Sequence, residues 1–340
     1  MNRSERRPLG RSGLTLPVLG LGCAQAGGLY RAIGDDDARA LLDGAWDCGL
    51  RWFDTAPYYG YTRSEHRVGR ALAARPRDAF VLSTKVGRLL RPDASVAPGV
   101  DGWADPLPFR PVFDYSHDGV LRSFEDSLQR LGLARIDLLL VHDIGERTHG
   151  SAHALHWDAL TRGGGFRALD DLRRCGAVAA IGLGVNEWQV ARAALDACDL
   201  DCTMLAGRYT LLEQASLSPF LDVCTRRGHA VIVAAPFNSG VLAGGSTFDY
   251  AQAPPGVLER VRALHRACRD FDVPLAAAAL QFPLAHPAVA GCVVGAHSAD
   301  EIRQNVAAFE HVIPPAFWAA LRDRALVDVN APLPLQGVPC

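Results

Sequence analysis

Eight short apolar runs punctuate the chain, and the stretches between them carry apolar residues at helical spacing. The runs cover residues 17–22 (PVLGLG), 50–54 (LRWFD), 79–85 (AFVLSTK), 136–142 (IDLLLVH), 179–184 (AAIGLG), 201–206 (DCTMLA), 230–235 (AVIVAA) and 289–294 (VAGCVV). Each is continuous rather than alternating, which is how strands covered on both faces read and which predicts a parallel sheet. The intervening segments carry helix punctuation. "DDDARALLDGAWDCG" opens on acids that suit the positive end of a helix and closes on Gly49. Ser64 is placed to cap the next helix, Ser116 opens and Gly132 closes another, and Ser298 with Glu301 makes a capping box. Eight strand–helix units predict an α/β fold, a (β/α)8 barrel forming one domain over residues 1–340.

Three segments fall outside the eight units. The first 15 residues read as a hairpin capping one barrel end. Residues 87–116 form a long loop rich in Pro, Gly and Asp, and residues 143–170 form a second insertion. Both insertions follow strand C-terminal ends, the face where barrels keep their active sites. A Pro-rich tail ends the chain.

Composition narrows the partners. Of 340 residues 49% are apolar, and the formal charge is −2. That leaves no broad basic field for nucleic acid or an anionic membrane. No run of 18 apolar residues exists to span a bilayer, and the basic N-terminus lacks the apolar segment of a secretion signal. Nine cysteines without a C-x-x-C pair read as buried thiols in a reducing cytoplasm. A small-molecule partner and a monomer or small homo-oligomer are expected. His149, His153 and His156 would share a helix face of a kind that suits a metal. The chemistry below needs none, so no metal is expected.

Asp54, Lys85 and His142 end three consecutive runs, so in a barrel they converge at one rim. Tyr58 and Tyr59 follow Asp54 closely. A phenol has a pKa of about 10, and lowering it by about three units takes roughly 4 kcal/mol. One cation at ~4 Å, at an effective dielectric near 20, supplies about that much. Lys85, held by Asp54, would be that cation, and one of the tyrosines would exchange a proton with a substrate hydroxyl or carbonyl. His142 would orient the same oxygen.

"FDTAPYYG", "LSTKVG", "DSLQRLGLARIDLLLVH" and "VVGAHSADEIRQN" together resemble the aldo-keto reductase superfamily, in order from Pro8 to about residue 325. The resemblance implies a (β/α)8 barrel that binds a nicotinamide cofactor without a Rossmann domain. It also implies a tetrad of Asp54, Tyr59, Lys85 and His142, because the motif D-T-A-x-x-Y-G puts the tyrosine five residues after the aspartate. The implied cofactor contacts are Gly22, Asp54, Asn186 for the carboxamide, and Pro236, Asn238, Gly240 and Leu242 in the loop after strand seven. Gly295, His297, Ser298, Glu301 and Asn305 are implied at the adenosine end. The chain departs from the common pattern at Val185, at Ala206, and at Ala234 and Ala235, where an aromatic ring often stacks on the nicotinamide. Members preferring NADP usually place a basic residue at Gly295 and an Arg at Glu301. A carboxylate there repels a 2′-phosphate, so NAD is expected, with Arg303 and His297 near enough to keep NADP open.

Within the superfamily the chain resembles the D-threo-aldose 1-dehydrogenase branch, with L-fucose and L-galactose dehydrogenases. The resemblance implies oxidation of the C1 hydroxyl of an aldose such as L-fucose, L-galactose or D-arabinose to a lactone. Pyridoxal 4-dehydrogenase-like activity and general aldehyde or ketone reduction are the alternatives. Candidate pocket residues are Tyr30, Tyr58, Trp103, Phe109, Asp143 and Trp188. A Schiff-base aldolase using Lys85 and a cofactor-sensing binding subunit are the rival classes.

Overall fold

The computed structural model describes residues 1–334; the last part of the Pro-rich tail, residues 335–340, lies outside the described residues. Eight parallel strands close into a barrel: β1 (Leu19–Gly22), β2 (Trp52–Asp54), β3 (Val81–Val86), β4 (Leu138–His142), β5 (Ala180–Val185), β6 (Cys202–Ala206), β7 (Ala230–Ala234) and β8 (Val289–Gly295). Each pairs with the strand before and after it, β8 pairs back to β1, and no edge is left. Each strand agrees with its apolar run to within two residues at either end. Helices α1 (Asp35–Asp47), α2 (Arg63–Leu72) and α3 (His117–Leu131) follow the first three strands on the outside. The caps expected at Ser116 and Ser298 form, their hydroxyls accepting from the Gly119 and Glu301 amides, and Gly132 ends α3 in the left-handed region. Ser64 does not cap α2. Thr62 stands at the cap position without a side-chain bond, and Ser64 is fully buried. Its hydroxyl donates to the Cys23 carbonyl (2.7 Å) and lies 2.8 Å from Thr55 Oγ1, which ties the loop after β2 to the end of β1.

Alternation along each strand decides what points inward. Trp52, Val81, Leu138 and Leu140 pack in the barrel interior, while Phe53, Leu82, Leu139 and Val141 pack outward under the helices. Side chains repeat every second residue. Asp54 therefore follows Trp52 inward, Lys85 follows Val81 and Ser83, and His142 follows Leu140. The three polar residues form the top layer of an otherwise apolar stack, the C-terminal rim.

The hairpin of Arg6–Pro8 and Thr15–Pro17 closes the other end, with Leu16 in its second strand and Leu9 just after its first fully buried against the barrel interior. At that end Asp137 and Asp201 precede β4 and β6. The Asp137 carboxylate accepts from the Leu82 amide (2.8 Å) and from Arg77 and Arg135 (2.6 and 3.1 Å). Asp201 accepts from the Ile181 amide (2.9 Å) and Arg173 (3.1 Å). Residues 87–116 contain more order than their composition suggests: Arg88–Pro92 and Phe109–Phe113 pair as an antiparallel ribbon. The second insertion is helical, over Glu146–His149 and His153–Thr161.

Candidate active site

Asp54, Tyr59 and Lys85 form one hydrogen-bonded unit. The Lys85 ammonium donates to Asp54 Oδ2 at 2.7 Å and to the Thr55 carbonyl at 3.0 Å, and lies 3.0 Å from the Tyr59 hydroxyl. The other Asp54 oxygen accepts from Ser83 (2.8 Å), which in turn accepts from the Trp52 indole (3.1 Å). Gly184 on β5 makes room for this lysine, since a Cβ there would sit 3.2 Å from Lys85 Cε. Tyr59 comes from the tight turn after β2. Its amide donates to the Ala56 carbonyl, its carbonyl accepts from the Ser64 amide, and Gly60 follows with φ 62°, pressed against the Gly27 backbone where no Cβ would fit. Two independently fixed backbones thus aim the phenol at the ammonium.

The electrostatics differ from the sequence expectation. Burial pulls the Lys85 pKa down, but Asp54 and then Tyr59 more than restore it, so the ammonium stays charged. For Tyr59, burial is the largest influence and raises the pKa; Lys85 opposes it without overcoming it, and Asp54 adds to the rise. The phenol is raised, not lowered, because a buried phenolate loses its hydration and the nearby carboxylate offsets part of the lysine's field. In the protein alone Tyr59 is a neutral acid at pH 7.

His142 is buried, and its pKa falls well below the ordinary value, first through burial and then through the Arg88 and Lys85 charges. It is a neutral imidazole. Its Nδ1 has no partner, while Nε2 lies 3.5 Å from Asp143. Tyr115 donates to its carbonyl (2.7 Å).

Of the pocket candidates, Tyr58 and Trp103 stand beside the four residues, with ring centroids 5.5 Å apart; Trp103 is 5.8 Å from Tyr59, and Tyr58 is 6.0 Å from His142. Burial pushes the Tyr58 hydroxyl up to about 12. Trp103 is pinned by a bridge to Leu29, and its indole N–H is buried without a partner. Asp143, in the left-handed region with φ 46°, accepts from Arg88 (2.6 Å) and from Asn186 (3.1 Å). Tyr30 is half exposed at the rim, also with a left-handed φ of 62°. Phe109 pairs with Pro92 at the far end of the ribbon, whereas Phe113 lies 5.4 Å under the Arg88 guanidinium. Trp188 starts the helix Trp188–Ala197 and packs on the outer core. Sequence reasoning missed Arg88. It is buried, 4.0 Å over the Tyr58 ring, with an unpartnered Nε, and it belongs to the segment read as loop, so no strand-end signal marked it.

The candidate cofactor residues line the rim from β5 round through β8 and β1 to Asp54 on β2. Gly22, Asp54 and Gly295 are register neighbours on β1, β2 and β8. After β7 the backbone turns through positive φ at Ala235, Asn238 and Gly240. Gly240 lies open, with nothing within 4 Å of an added Cβ, so a bulky anionic group can approach the backbone there. The Asn238 side chain is buried, accepting from Thr210 (2.6 Å) and donating to Gly207 O (3.1 Å), and Leu242 is buried; both hold the loop's shape. The space at Gly295 is taken by the Gln25 side chain. Ser298 caps the helix Ala299–Glu310, Asn305 donates to Gly295 O (3.3 Å), and the Glu301 carboxylate accepts from the His297 amide (2.8 Å). Open glycine backbone, small residues at Ala234 and Ala235 and a helix N-terminus with polar side chains fit a dinucleotide.

The histidines do not converge. His149 and His156 lie against each other with tilted rings, centroids 4.2 Å apart, His149 contacts Tyr115, and His153 turns to the Ile144 carbonyl. No metal-binding group of His, Cys, Asp and Glu is found among the described residues. The described cysteines are all free. Five are buried, but Cys48 and Cys198 are partly exposed and Cys175 is exposed, so not every thiol is a core residue. No described helix is long and apolar enough to cross a membrane.

A family model described as Aldo/keto reductase family matches residues 18–325. A pyridoxal 4-dehydrogenase of Microbacterium luteolum is 53% identical, covering 96% of this chain and 99% of the relative. A D-threo-aldose 1-dehydrogenase of Pseudomonas sp is 41% identical, covering 93% and 96%. Among solved structures, the holo form of an aldo-keto reductase from Bacillus halodurans superposes with a TM-score of 0.72 at 26% identity, covering 98% of this chain and 99% of that one.

Proposed function

The chain belongs to the aldo/keto reductase family and is a nicotinamide-dependent oxidoreductase; from that premise we propose that it oxidises the hydroxyl of a cyclic hemiacetal to a lactone, with NAD as the preferred acceptor. The observation that carries the reading is the Lys85 ammonium bridging Asp54 and the Tyr59 hydroxyl. When bound, the nicotinamide dinucleotide supplies the hydride acceptor.

In this reading Tyr59 first gives its proton to solvent, the resulting phenolate oxygen takes the proton of the substrate hydroxyl, and Lys85 stabilises that oxygen through the transfer. The neutral His142 imidazole orients the substrate oxygen without competing for its proton. Asp54 keeps Lys85 charged and fixed; a lysine held charged is a poor amine nucleophile, which disfavours the aldolase reading. Asn186, the loop from Pro236 to Leu242, and residues 295–305 would hold the dinucleotide. The preference for NAD gains support at the adenosine end. The Glu301 carboxylate lies 3.6 Å from His297 Nδ1, and Arg303 is drawn to Asp300, so the Arg303 guanidinium is engaged away from a 2′-phosphate.

Two substrates share this chemistry. Pyridoxal closes on its own hydroxymethyl group into a hemiacetal, and aldoses do the same. The relative at 53% identity favours pyridoxal, as does a pocket walled by the rings of Tyr58 and Trp103, which suits a flat heteroaromatic ring. The relative at 41% keeps aldoses such as L-fucose, L-galactose and D-arabinose as the second choice. Reduction of an aldehyde to an alcohol is a different reaction, one oxidation level lower, in which hydride and proton both move to the substrate, and the raised Tyr59 pKa favours it at neutral pH because a neutral phenol donates a proton. A cytoplasmic setting, with the described thiols reduced, accompanies this reading.

The test follows absorbance at 340 nm with NAD or NADP against pyridoxal and the three sugars. Reduction with pyridoxal, faster with NAD, is expected; no reduction in any combination rejects the proposal.

A further inference from the structure

Asp143 directly follows His142 and takes a left-handed φ of 46°, a conformation that costs a non-glycine residue free energy and persists only where surroundings enforce it. Three contacts enforce it here. Its amide donates to the Gly184 carbonyl on β5 (2.8 Å), one carboxylate oxygen accepts from Asn186 (3.1 Å), and the other accepts from Arg88 (2.6 Å). The turn brings the carboxylate back beside the residue before it. The oxygen that Arg88 holds is the one 3.5 Å from His142 Nε2. That oxygen thus has a short contact to a guanidinium and a long one to an imidazole, beyond good hydrogen-bond range.

Arg88 is buried, 4.0 Å over the Tyr58 ring and 5.4 Å from the Phe113 ring. A buried cation needs a counter-charge, and a buried carboxylate needs a cation. Among the described residues the Asp143 carboxylate makes ion-pair contacts with Arg88 and His142 alone. The groups facing the His142 ring are Lys85 from β3, Arg88 from the ribbon, Tyr58 and Tyr59 from the loop after β2, and Asp143 itself. Lys85 is committed to Asp54, and Tyr115 reaches only the His142 backbone carbonyl. Both facing phenols are neutral at pH 7. Arg88 is therefore the cation that satisfies Asp143. Without it, His142 is the group placed to do so, by taking a proton.

We propose that Arg88 is a positioning residue: by occupying the Asp143 carboxylate it keeps that charge from pairing with His142, and so leaves the imidazole to the substrate oxygen. The proposal rests on the reading of His142 given above. Arg88 acts through Asp143 and takes no part in the proton transfer itself.

The experiment follows His142 by nuclear magnetic resonance of protein labelled at histidine, titrated across pH 6.5, with the signal identified by its loss in His142→Gln. In the unmodified protein the signal should stay that of a neutral ring throughout. In Arg88→Met it should titrate within about one pH unit of 6.5. Adding Asp143→Asn to Arg88→Met removes the carboxylate and should restore the flat course. Arg88→Lys, which keeps a cation beside Asp143, should stay flat. Turnover of pyridoxal with NAD gives the second reading. The kcat of Arg88→Met relative to the unmodified protein should fall roughly tenfold for about two pH units of acidification through neutrality, because the charged ring is held by Asp143. A packing role alone would lower kcat or the thermal midpoint by one factor at every pH, and Asp143→Asn would not repair it. Where Arg88→Met does not fold, Arg88→Gln, which keeps a donor for Asp143 but no charge, makes the same test. A His142 that titrates near 6.5 in the unmodified protein, or stays flat in the folded Arg88 variant, overturns this proposal alone. Absence of turnover in the unmodified protein with every substrate overturns the functional reading, and with it the link from Arg88 to a substrate oxygen.

Discussion

The two ends of the barrel use the same ingredients to opposite effect. At the N-terminal end, Asp137 and Asp201 are buried carboxylates, each satisfied by a backbone amide of the adjacent strand and by arginine. His229, also buried there, is satisfied on both ring nitrogens, by the Leu200 carbonyl and Thr203. At the C-terminal end, Asp54 is equally buried and paired, yet its neighbourhood keeps the His142, Arg88 and Trp103 nitrogens without partners. A closed polar network stabilises and specifies the fold; an open one keeps buried donors and acceptors that a ligand can satisfy. Burial and charge alone do not separate a structural cluster from a reactive one. The unfilled groups differ in number: one, Arg77 Nε, stands beside Asp137 at the N-terminal end, against His142 Nδ1, Arg88 Nε and the Trp103 indole at the C-terminal end.

The comparison can be broken in four places. The largest effect should come from Tyr59→Phe, which removes the proton carrier and should cut turnover by at least about a hundredfold while cofactor affinity stays unchanged. Steady-state kinetics beside a binding titration measures both, and comparable turnover would remove Tyr59 from the reactive end. Next, Asp201→Ala should destabilise the fold by about 3 kcal/mol, because Arg173 and the Ile181 amide lose their acceptor, with turnover per folded molecule preserved. Urea unfolding with active-site titration decides it.

Third is pH. His229 and His286 are buried, with pKa values near 4 set first by burial. Unfolded, each protonates near 6.5; folded, each stays neutral until about pH 4. Between those values the unfolded chain binds more protons, so stability should fall as pH drops from 7 to 5, by about 1.4 kcal/mol per pH unit for each such histidine. His229→Gln should flatten the slope. His142 also stays neutral in this range and should leave no inflection near 6.5 in the rate. Oxidation should instead speed up as pH rises above 7, because Tyr59 must lose its proton. The smallest effect belongs to Tyr58→Phe, which keeps the ring under Arg88 and should change turnover by less than about threefold. Equal losses at Tyr58 and Tyr59 would contradict the division of labour.

Much of this was legible in the chain. Strands covered on both faces are continuously apolar, so all eight could be placed from composition along the sequence. A polar residue ending such a run can only lie at a rim, which marked Asp54, Lys85 and His142. The helix caps at Ser116 and Ser298 are local chemistry and held. Arg88 could not be found this way, since it lies in a segment whose pairing, the ribbon, depends on contacts far along the chain. Ser64 misled because a serine before a helical stretch looks the same whether it caps the helix or is buried against the neighbouring strand end.

By itself the sequence determined the barrel and the identity of the residues at its rim, because periodicity and burial are local properties of the chain. Only the tertiary structure decided their states. The Tyr59 phenol is neutral rather than ionised because burial outweighs one lysine, and that balance depends on how much water the assembled rim excludes. The network that joins Arg88, Asp143 and Asn186 likewise exists only once three separate strand ends have come together.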